Sequence, residues 1–190
     1  MDHVSAIFAN DLAKLYAETS LALGISHVTL AMVVGTFVHQ ARERLLHDMV
    51  ELWGATHILW LDSDMTFPSD TALRLLKHDK DVVAVNYVMR RESWRPIARR
   101  DGKRISSLEA TGLEAVDDVG MGVFLMKTSV VQNLPRPCFW YSTITETEDH
   151  HFCRLLKAAG HDIWIDHELS REVGHVGQIT YREQREAVTV

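Results

Sequence analysis

Two carboxylates one residue apart, Asp62 and Asp64, close an unbroken apolar run over residues 58–61. A pair at that spacing can converge on a hard divalent cation, Mg²⁺ or Mn²⁺, through oxygen ligands. The run itself reads as a strand buried on both faces of a sheet, and ligands of open α/β sheets bind beyond the carboxyl ends of strands. Pro68, Ser69 and Asp70 then open a helix with Leu73, Leu75 and Leu76 on its apolar side. The plain alternative is a polar turn after a core strand. A second acidic pair, Glu148-Asp149, opens an amphipathic helix whose apolar face is Phe152, Leu155, Leu156 and Ala159, with Gly160 at its end. A docked helix start can hold a carboxylate rigidly enough to serve as a general base. Acidic residues in a first turn are also favoured by the helix dipole alone, by up to ~1 kcal/mol. Late in the chain, His175-Val-Gly177 reads as a loop from which an imidazole can fold back over a bound cation.

The elements that must position these groups follow from periodicity. Residues 5–22 carry Phe8, Leu12, Leu15 and Thr19 at helical spacing, with Gly24 as a stop. A β-rich run over 27–34 reads as a strand, broken by Gly35 and Thr36. Residues 40–53 predict a second helix, with Leu45, Leu46, Met49, Val50 and Trp53 on one face and Gly54 beyond its end. Residues 81–87 predict another core strand. Helix and strand thus alternate over 5–87, which predicts a mostly parallel α/β sheet.

The pattern changes at Arg90. Residues 90–104 hold seven basic and two acidic side chains, and Asp101-Gly102 signals a hairpin turn. This stretch is either a solvated charged hairpin or a basic lip for a phosphorylated ligand, since guanidinium forks match phosphate oxygens. Gly120 and Gly122 precede an apolar strand over 123–126, as a bulge or as a point of close ligand approach. Thr128 or Ser129 can cap a short helix. Phe139, Trp140 and Tyr141 form core or a stacking wall for a sugar ring. Residues 163–165 predict a last strand, and the tail from Gln178 is polar, an edge element or frayed.

Composition narrows the class. A chain of 190 residues, 46% hydrophobic and 24% charged, suits one soluble globular domain, taken here as 1–177 with a polar tail over 178–190. A net charge of −6 argues against general nucleic-acid binding. Cys138 and Cys153 lack paired spacing and fit reduced thiols in a cytoplasmic protein. No apolar run has transmembrane length, and no signal-type leader is visible. The His150, His151 and Cys153 group lacks a second ligand pair at zinc spacing.

The ordered set of motifs resembles the A-type glycosyltransferases, in particular small family-2-like members of phages and bacteria. The residues that carry the resemblance are Ala55-Thr-His-Ile-Leu-Trp-Leu-Asp-Ser-Asp-Met-Thr-Phe-Pro68, Val119-Gly-Met-Gly-Val123, Thr147-Glu-Asp149 with Phe152-Cys153, and Gly160-His-Asp-Ile-Trp-Ile-Asp166 running to His175-Val-Gly177. The resemblance implies a GT-A, Rossmann-like, mostly parallel sheet, here without the strand with which such folds usually begin. It implies transfer of a sugar from a nucleotide-sugar donor to an acceptor hydroxyl, with inversion. Asp62, Asp64 and His175 would be the ligands of Mn²⁺ or Mg²⁺, and Asp149 the base, with Glu148 beside it. Arg42, Ser63 and Arg90 would contact the nucleotide sugar; Gly120, Gly122 and Trp140 would face the acceptor. Arg42 matches an arginine–asparagine pair of the family, but Glu43 replaces the asparagine.

Two rivals remain open. One is a non-catalytic nucleotide-sugar-binding module, favoured by the absent first strand. The other is a haloacid-dehalogenase-type phosphatase, since residues 58–66 also fit hydrophobic-Asp-x-Asp-x-Thr. Asp62 would then be a nucleophile and Asp64 an acid/base.

Overall fold

The computed structural model describes residues 4–35, 37–90, 94–141, 143, 146–177 and 180–181. Helix α1 spans Ala6–Leu23; the Phe8 N–H donates to the Ser5 hydroxyl at 3.0 Å, and Gly24 ends the helix at φ 91°. A 3₁₀ turn at Ile25–His27 leads to helix α2, Val38–His47, which runs on as a π-turn over Asp48–Leu52. Strand β1, His57–Leu61, is followed by the short β2, Met65–Thr66, helix α3, Thr71–Lys77, and β3, Val82–Ala84. The basic stretch forms the expected hairpin, β4 (Arg99–Arg100) and β5 (Lys103–Arg104). Asp101 and Gly102 at its tip take φ 51° and 71°, as a turn with both central residues left-handed requires. Strands β6 (Leu113–Val116) and β7 (Val123–Lys127), a 3₁₀ turn at Thr128–Val131, helix α4 (Glu148–Ala158) and strand β8 (Ile163–Asp166) follow. Then come helix α5 (His167–Ser170), strand β9 (Gly174–Val176) and strand β10 (Thr180–Tyr181).

The fold is mixed α/β around a five-stranded sheet of order β1-β7-β3-β8-β6. The expectation of a mostly parallel sheet is corrected: only β3 and β8 pair in parallel, and the other three pairings are antiparallel. The reason lies in the connections. Parallel neighbours need a long crossover, usually a helix. Helix α3 supplies one between β1 and β3, which share a direction. Among the described residues no α-helix lies between β3 and β7, so β6 and β7 return against their neighbours.

A second correction concerns residues 28–34, which form no strand. A β-rich run becomes a strand only with a ladder partner, and none among the described residues lies beside it. Among the described residues strand β1 pairs with β7 alone and is the outermost strand of its sheet. Part of the tail is an edge element, one of its two expected forms: Thr180 and Tyr181 pair with Val176 and His175, with β10 at the edge of the sheet β10-β9-β2; the rest of it lies outside the described residues.

Alternation along the central strands serves two cores. Phe124 and Met126 of β7 face one with Val82 and Ala84, while Val123 and Leu125 face the other with Val83 and Val85. Both faces being covered explains the unbroken apolar runs. The first core seats α4. Phe152 packs at 4.6 Å from Phe139 and 6.1 Å from Phe124, ring centre to ring centre. Phe152→Ala removes the hub of that cluster and should destabilise the fold by about 3–5 kcal/mol, read as a lower urea midpoint with an unchanged slope.

Candidate functional site

Asp62, Ser63 and Asp64 form a turn at the carboxyl end of β1. Its geometry is fixed twice: the Met65 N–H donates to the Asp62 carbonyl at 3.1 Å, and the Asp62 N–H donates to the Gly122 carbonyl at 3.0 Å. Ser63 sits exposed at the tip. Helix α1 braces the far side, where Asp11 accepts hydrogen bonds from the Thr66 hydroxyl and, at 3.4 Å, from the Phe67 N–H.

His175 is not in a loop, as expected, but in β9. Its backbone lies opposite Met65 of β2, and the Val176 N–H donates to the Asp64 carbonyl at 2.6 Å. A strand position fixes the ring more firmly than a loop. His175 Nε2 stands 3.3 Å from Asp64 Oδ2, and Nδ1 stands 3.1 Å from the Val88 carbonyl. A carbonyl only accepts, so Nδ1 carries a hydrogen. Burial pushes the Asp64 carboxyl up, but the hydrogen bond and charge of His175, with the charge of Arg90, outweigh it and hold it below the usual carboxylate range. Arg90 Nη2 lies 2.8 Å from the same Asp64 oxygen.

The second half of the site hangs on Arg42 of α2. Its buried guanidinium reaches Asp62 Oδ1 at 2.8 Å with one nitrogen and Glu148 Oε1 at 2.9 Å with the other. This clasp ties the end of β1 to the start of α4. Burial works to lower the Arg42 pKa, yet Asp62 and Glu148 raise it overall. For Asp62 the balance runs the other way: burial lifts its pKa more than Arg42 lowers it. Glu43, where the family pair has asparagine, turns away from the site. Its carboxylate accepts from the Cys138 and Phe139 N–H groups at 2.9 and 3.0 Å and pairs with Arg136 at 3.1 Å.

Glu148 and Asp149 differ in what holds them. Glu148 is buried and committed to Arg42. Asp149 is half-buried; its Oδ1 accepts from the His150 N–H at 2.9 Å and from the Thr147 hydroxyl, while Oδ2 accepts no hydrogen bond from the described residues. Its negative charge is felt at Arg42, Asp62 and Tyr87, so it belongs to the same cluster. Beside the start of α4 a cavity of about 460 Å³ opens among Arg99, Asp118, Glu146, His150 and Arg154.

Phe139 is core, whereas Trp140 and Tyr141 are exposed and pack edge-on against His39 at 5.5 and 4.9 Å. Gly120 and Gly122 are buried, with a packing reason for being glycine. A Cβ on Gly120 would lie 2.3 Å from the Tyr87 hydroxyl, and one on Gly122 would lie 2.8 Å from its ring. Two arginines of the basic stretch pair within the protein: Arg99 with Asp118 at 2.8 Å and Arg100 with Glu114 at 2.5 Å. Arg90 reaches the carboxylate pair, through Asp64.

Tyr87 and Asp11 were not legible as site residues. Tyr87 accepts the Gly122 N–H at 3.2 Å and stands edge-on to His175 at 5.4 Å, linking the glycine turn to the histidine; burial pushes its hydroxyl well above the ordinary range. It closes an apolar strand and reads as core. Asp11 sits on the polar side of α1 and reads as solvated.

Asp64 and His175 suit a divalent cation by chemistry, and the hydrogen bond from Nδ1 to a backbone carbonyl is the support that orients a ligating imidazole. Among the described residues no three ligating side chains are gathered into one group, and Asp62 is engaged by Arg42. The set leaves room for phosphate and water ligands.

No protein-family model and no curated protein matches the chain. Solved structures do. One, "Crystal Structure of A197 from STIV", aligns with a TM-score of 0.62 over 95% of this chain and 90% of the other at 14% identity. At that identity the likeness shows the fold alone. Among the described residues no helix is long and apolar enough to cross a membrane.

Proposed function

We propose that the protein is a cation-dependent, GT-A-type glycosyltransferase that moves a sugar from a nucleotide-sugar donor to an acceptor hydroxyl. The observation that carries the reading is the meeting of Asp64 and His175, 111 residues apart, with Nε2 3.3 Å from Oδ2. The clasp of Arg42 on Asp62 and Glu148 then brings Asp149 into the same cluster. Asp64 and His175 would hold Mn²⁺ or Mg²⁺, which when bound supplies positive charge for the departing diphosphate. Arg90, already on Asp64, can turn to the phosphates. Asp149 offers Oδ2 to take the acceptor's proton, and its place on α4, seated by Phe152, keeps it rigid. Trp140 and Tyr141 offer aromatic faces for a sugar ring, and the cavity beside α4 offers it polar walls.

The phosphatase reading asks Asp62 to attack as a free carboxylate, but its Oδ1 is engaged by Arg42. It predicts a trapped phosphate on Asp62, and the transferase reading predicts none. The non-catalytic alternative predicts donor binding without turnover. Calorimetry with nucleoside diphosphates and Mn²⁺, followed by a screen of nucleotide sugars for metal-dependent hydrolysis, separates these outcomes. Asp64→Ala should abolish cation-dependent nucleotide binding and leave the circular dichroism spectrum unchanged. Undiminished binding in that variant would overturn the assignment of Asp64.

A further inference from the structure

A Cβ-sized group at Gly120 or Gly122 would strike Tyr87, so an acceptor ring is seated elsewhere than on the glycine turn. The cavity at the start of α4 adjoins the base instead. Its volume, about 460 Å³, lies within the roughly 300–1,000 Å³ of small-molecule sites. His150 on its wall follows Asp149 directly, and the His150 N–H donates to Asp149 Oδ1 at 2.9 Å. The same residue's ring reaches Asp118, with Nε2 3.4 Å from Oδ1. The walls are charged, which disfavours an apolar ligand. They are also balanced: Arg99, Arg154 and Lys157 stand with Asp117, Asp118 and Glu146.

Pairing decides what kind of ligand such walls take. Arg99 Nε donates to both Asp118 oxygens at 2.8 and 3.1 Å, Arg154 to both Glu146 oxygens at 3.0 and 3.4 Å, and Lys157 to Asp162 at 3.0 Å. An ionic ligand would meet no net charge in the lining and would have to displace one of these partners. What the pairs leave over is hydrogen-bonding capacity. The two terminal nitrogens of Arg99 and Nη1 of Arg154 make no hydrogen bond to the described residues, and a carboxylate oxygen that accepts one hydrogen bond keeps a second lone pair. A sugar hydroxyl donates and accepts at once, so vicinal hydroxyls use both kinds of group, whereas a phosphate or carboxylate uses donors alone. We propose that this cavity is the acceptor subsite and that the acceptor is a neutral saccharide, held through its hydroxyls by Arg99 and Arg154 with one hydroxyl presented to Asp149. The acceptor role rests on the transferase reading; the binding of a neutral sugar does not.

Saturation-transfer NMR without nucleotide or metal ion tests the binding. The probes are glucose, galactose, mannose, rhamnose and N-acetylglucosamine, with glucuronate and glucose 6-phosphate as charged counterparts. At least one neutral sugar should bind with a Kd of about 10 mM or lower. Its affinity should hold between about 0.05 and 0.5 M salt, since no charge pair forms. Arg154→Met should weaken binding about 5-fold or more, the loss of one or two hydrogen bonds. The Arg154 side chain is 55% exposed, so an unchanged urea midpoint would exclude misfolding as the cause. Arg99→Met supplies a second reading from β4. No binding of any neutral sugar, preference for glucuronate or the sugar phosphate, or binding indifferent to both substitutions would overturn the proposal. Transfer assays keep the two readings apart. A sugar that binds, and is lost in both variants, yet accepts nothing from any nucleotide sugar supports the ligand class and defeats the transferase reading. Transfer to a sugar at undiminished rate and affinity in both variants supports the transferase reading and defeats this subsite.

Discussion

Asp149→Asn should bind nucleoside diphosphate and Mn²⁺ as the wild type does and yet lose about 10²- to 10⁴-fold in transfer rate, the usual range for a missing general base. Asparagine is nearly isosteric with aspartate. Its carbonyl can still accept from the His150 N–H at the helix start, so the local hydrogen bonds of α4 survive. The side chain loses only the carboxylate basicity that the acceptor's proton needs. Donor binding should hold because the residues proposed for it, Asp64, His175 and Arg90, lie on β9 and on the segments that follow β1 and β3 rather than on α4. Glu148→Gln provides the contrast. It weakens the contact with Arg42 but keeps a hydrogen-bonding group there, so its effect should appear first in stability and less in rate. Single-turnover transfer assays with donor affinity measured in parallel decide the matter. Full transfer by Asp149→Asn, or a rate loss matched by lost donor affinity, would remove Asp149 from the role of base.

What was legible in the sequence follows the range of the forces involved. The turn at Asp62–Asp64 could be read because an apolar run must stop where a sheet ends, and polar residues there have few other reasons to sit beside it. The start of α4 was legible for the same local reason, a 3.6-residue period opened by acids. Strand direction was not. Nothing local distinguishes a strand that returns after a glycine turn, as β7 does, from one that returns after a helix. Residues 27–34 misled because strand propensity describes fit to a half-buried ladder, and the ladder partner is a tertiary matter. His175 was located as a candidate but not as a strand residue, since β9 is only three residues long and is defined by β2 and β10. Gly120 and Gly122 were read as a bulge or as a point of close ligand approach; the group that crowds them is the Tyr87 side chain, which local pattern cannot name.

Arg42 should prove the most costly residue of the site to remove. Arg42→Met keeps the length and apolar stem of the side chain and deletes the charge between Asp62 and Glu148. Breaking a buried pair by removing one partner typically costs about 3–5 kcal/mol. A value near the lower end is expected here, because the Asp62 side chain is 38% exposed and water screens part of its loss, whereas Glu148 at 10% has little such relief. The pH dependence carries the diagnostic sign. Asp62 already titrates above its ordinary value in the folded protein, as burial outweighs Arg42. A carboxyl raised on folding favours the folded state below its unfolded pKa, and that contribution is lost as pH rises through the folded value. Without Arg42 burial acts unopposed, the folded value climbs further, and the loss at neutral pH deepens. The deficit of Arg42→Met against wild type should therefore be largest near pH 7 and shrink as pH falls toward about 4, where carboxylates take up protons in both states. Arg42→Lys should fall between, because a single ammonium cannot reach both carboxylates with the geometry of a planar fork. Urea denaturation at several pH values reads all three proteins. A deficit below about 1 kcal/mol, or one that does not change with pH, would show that the clasp is not what joins β1 to α4.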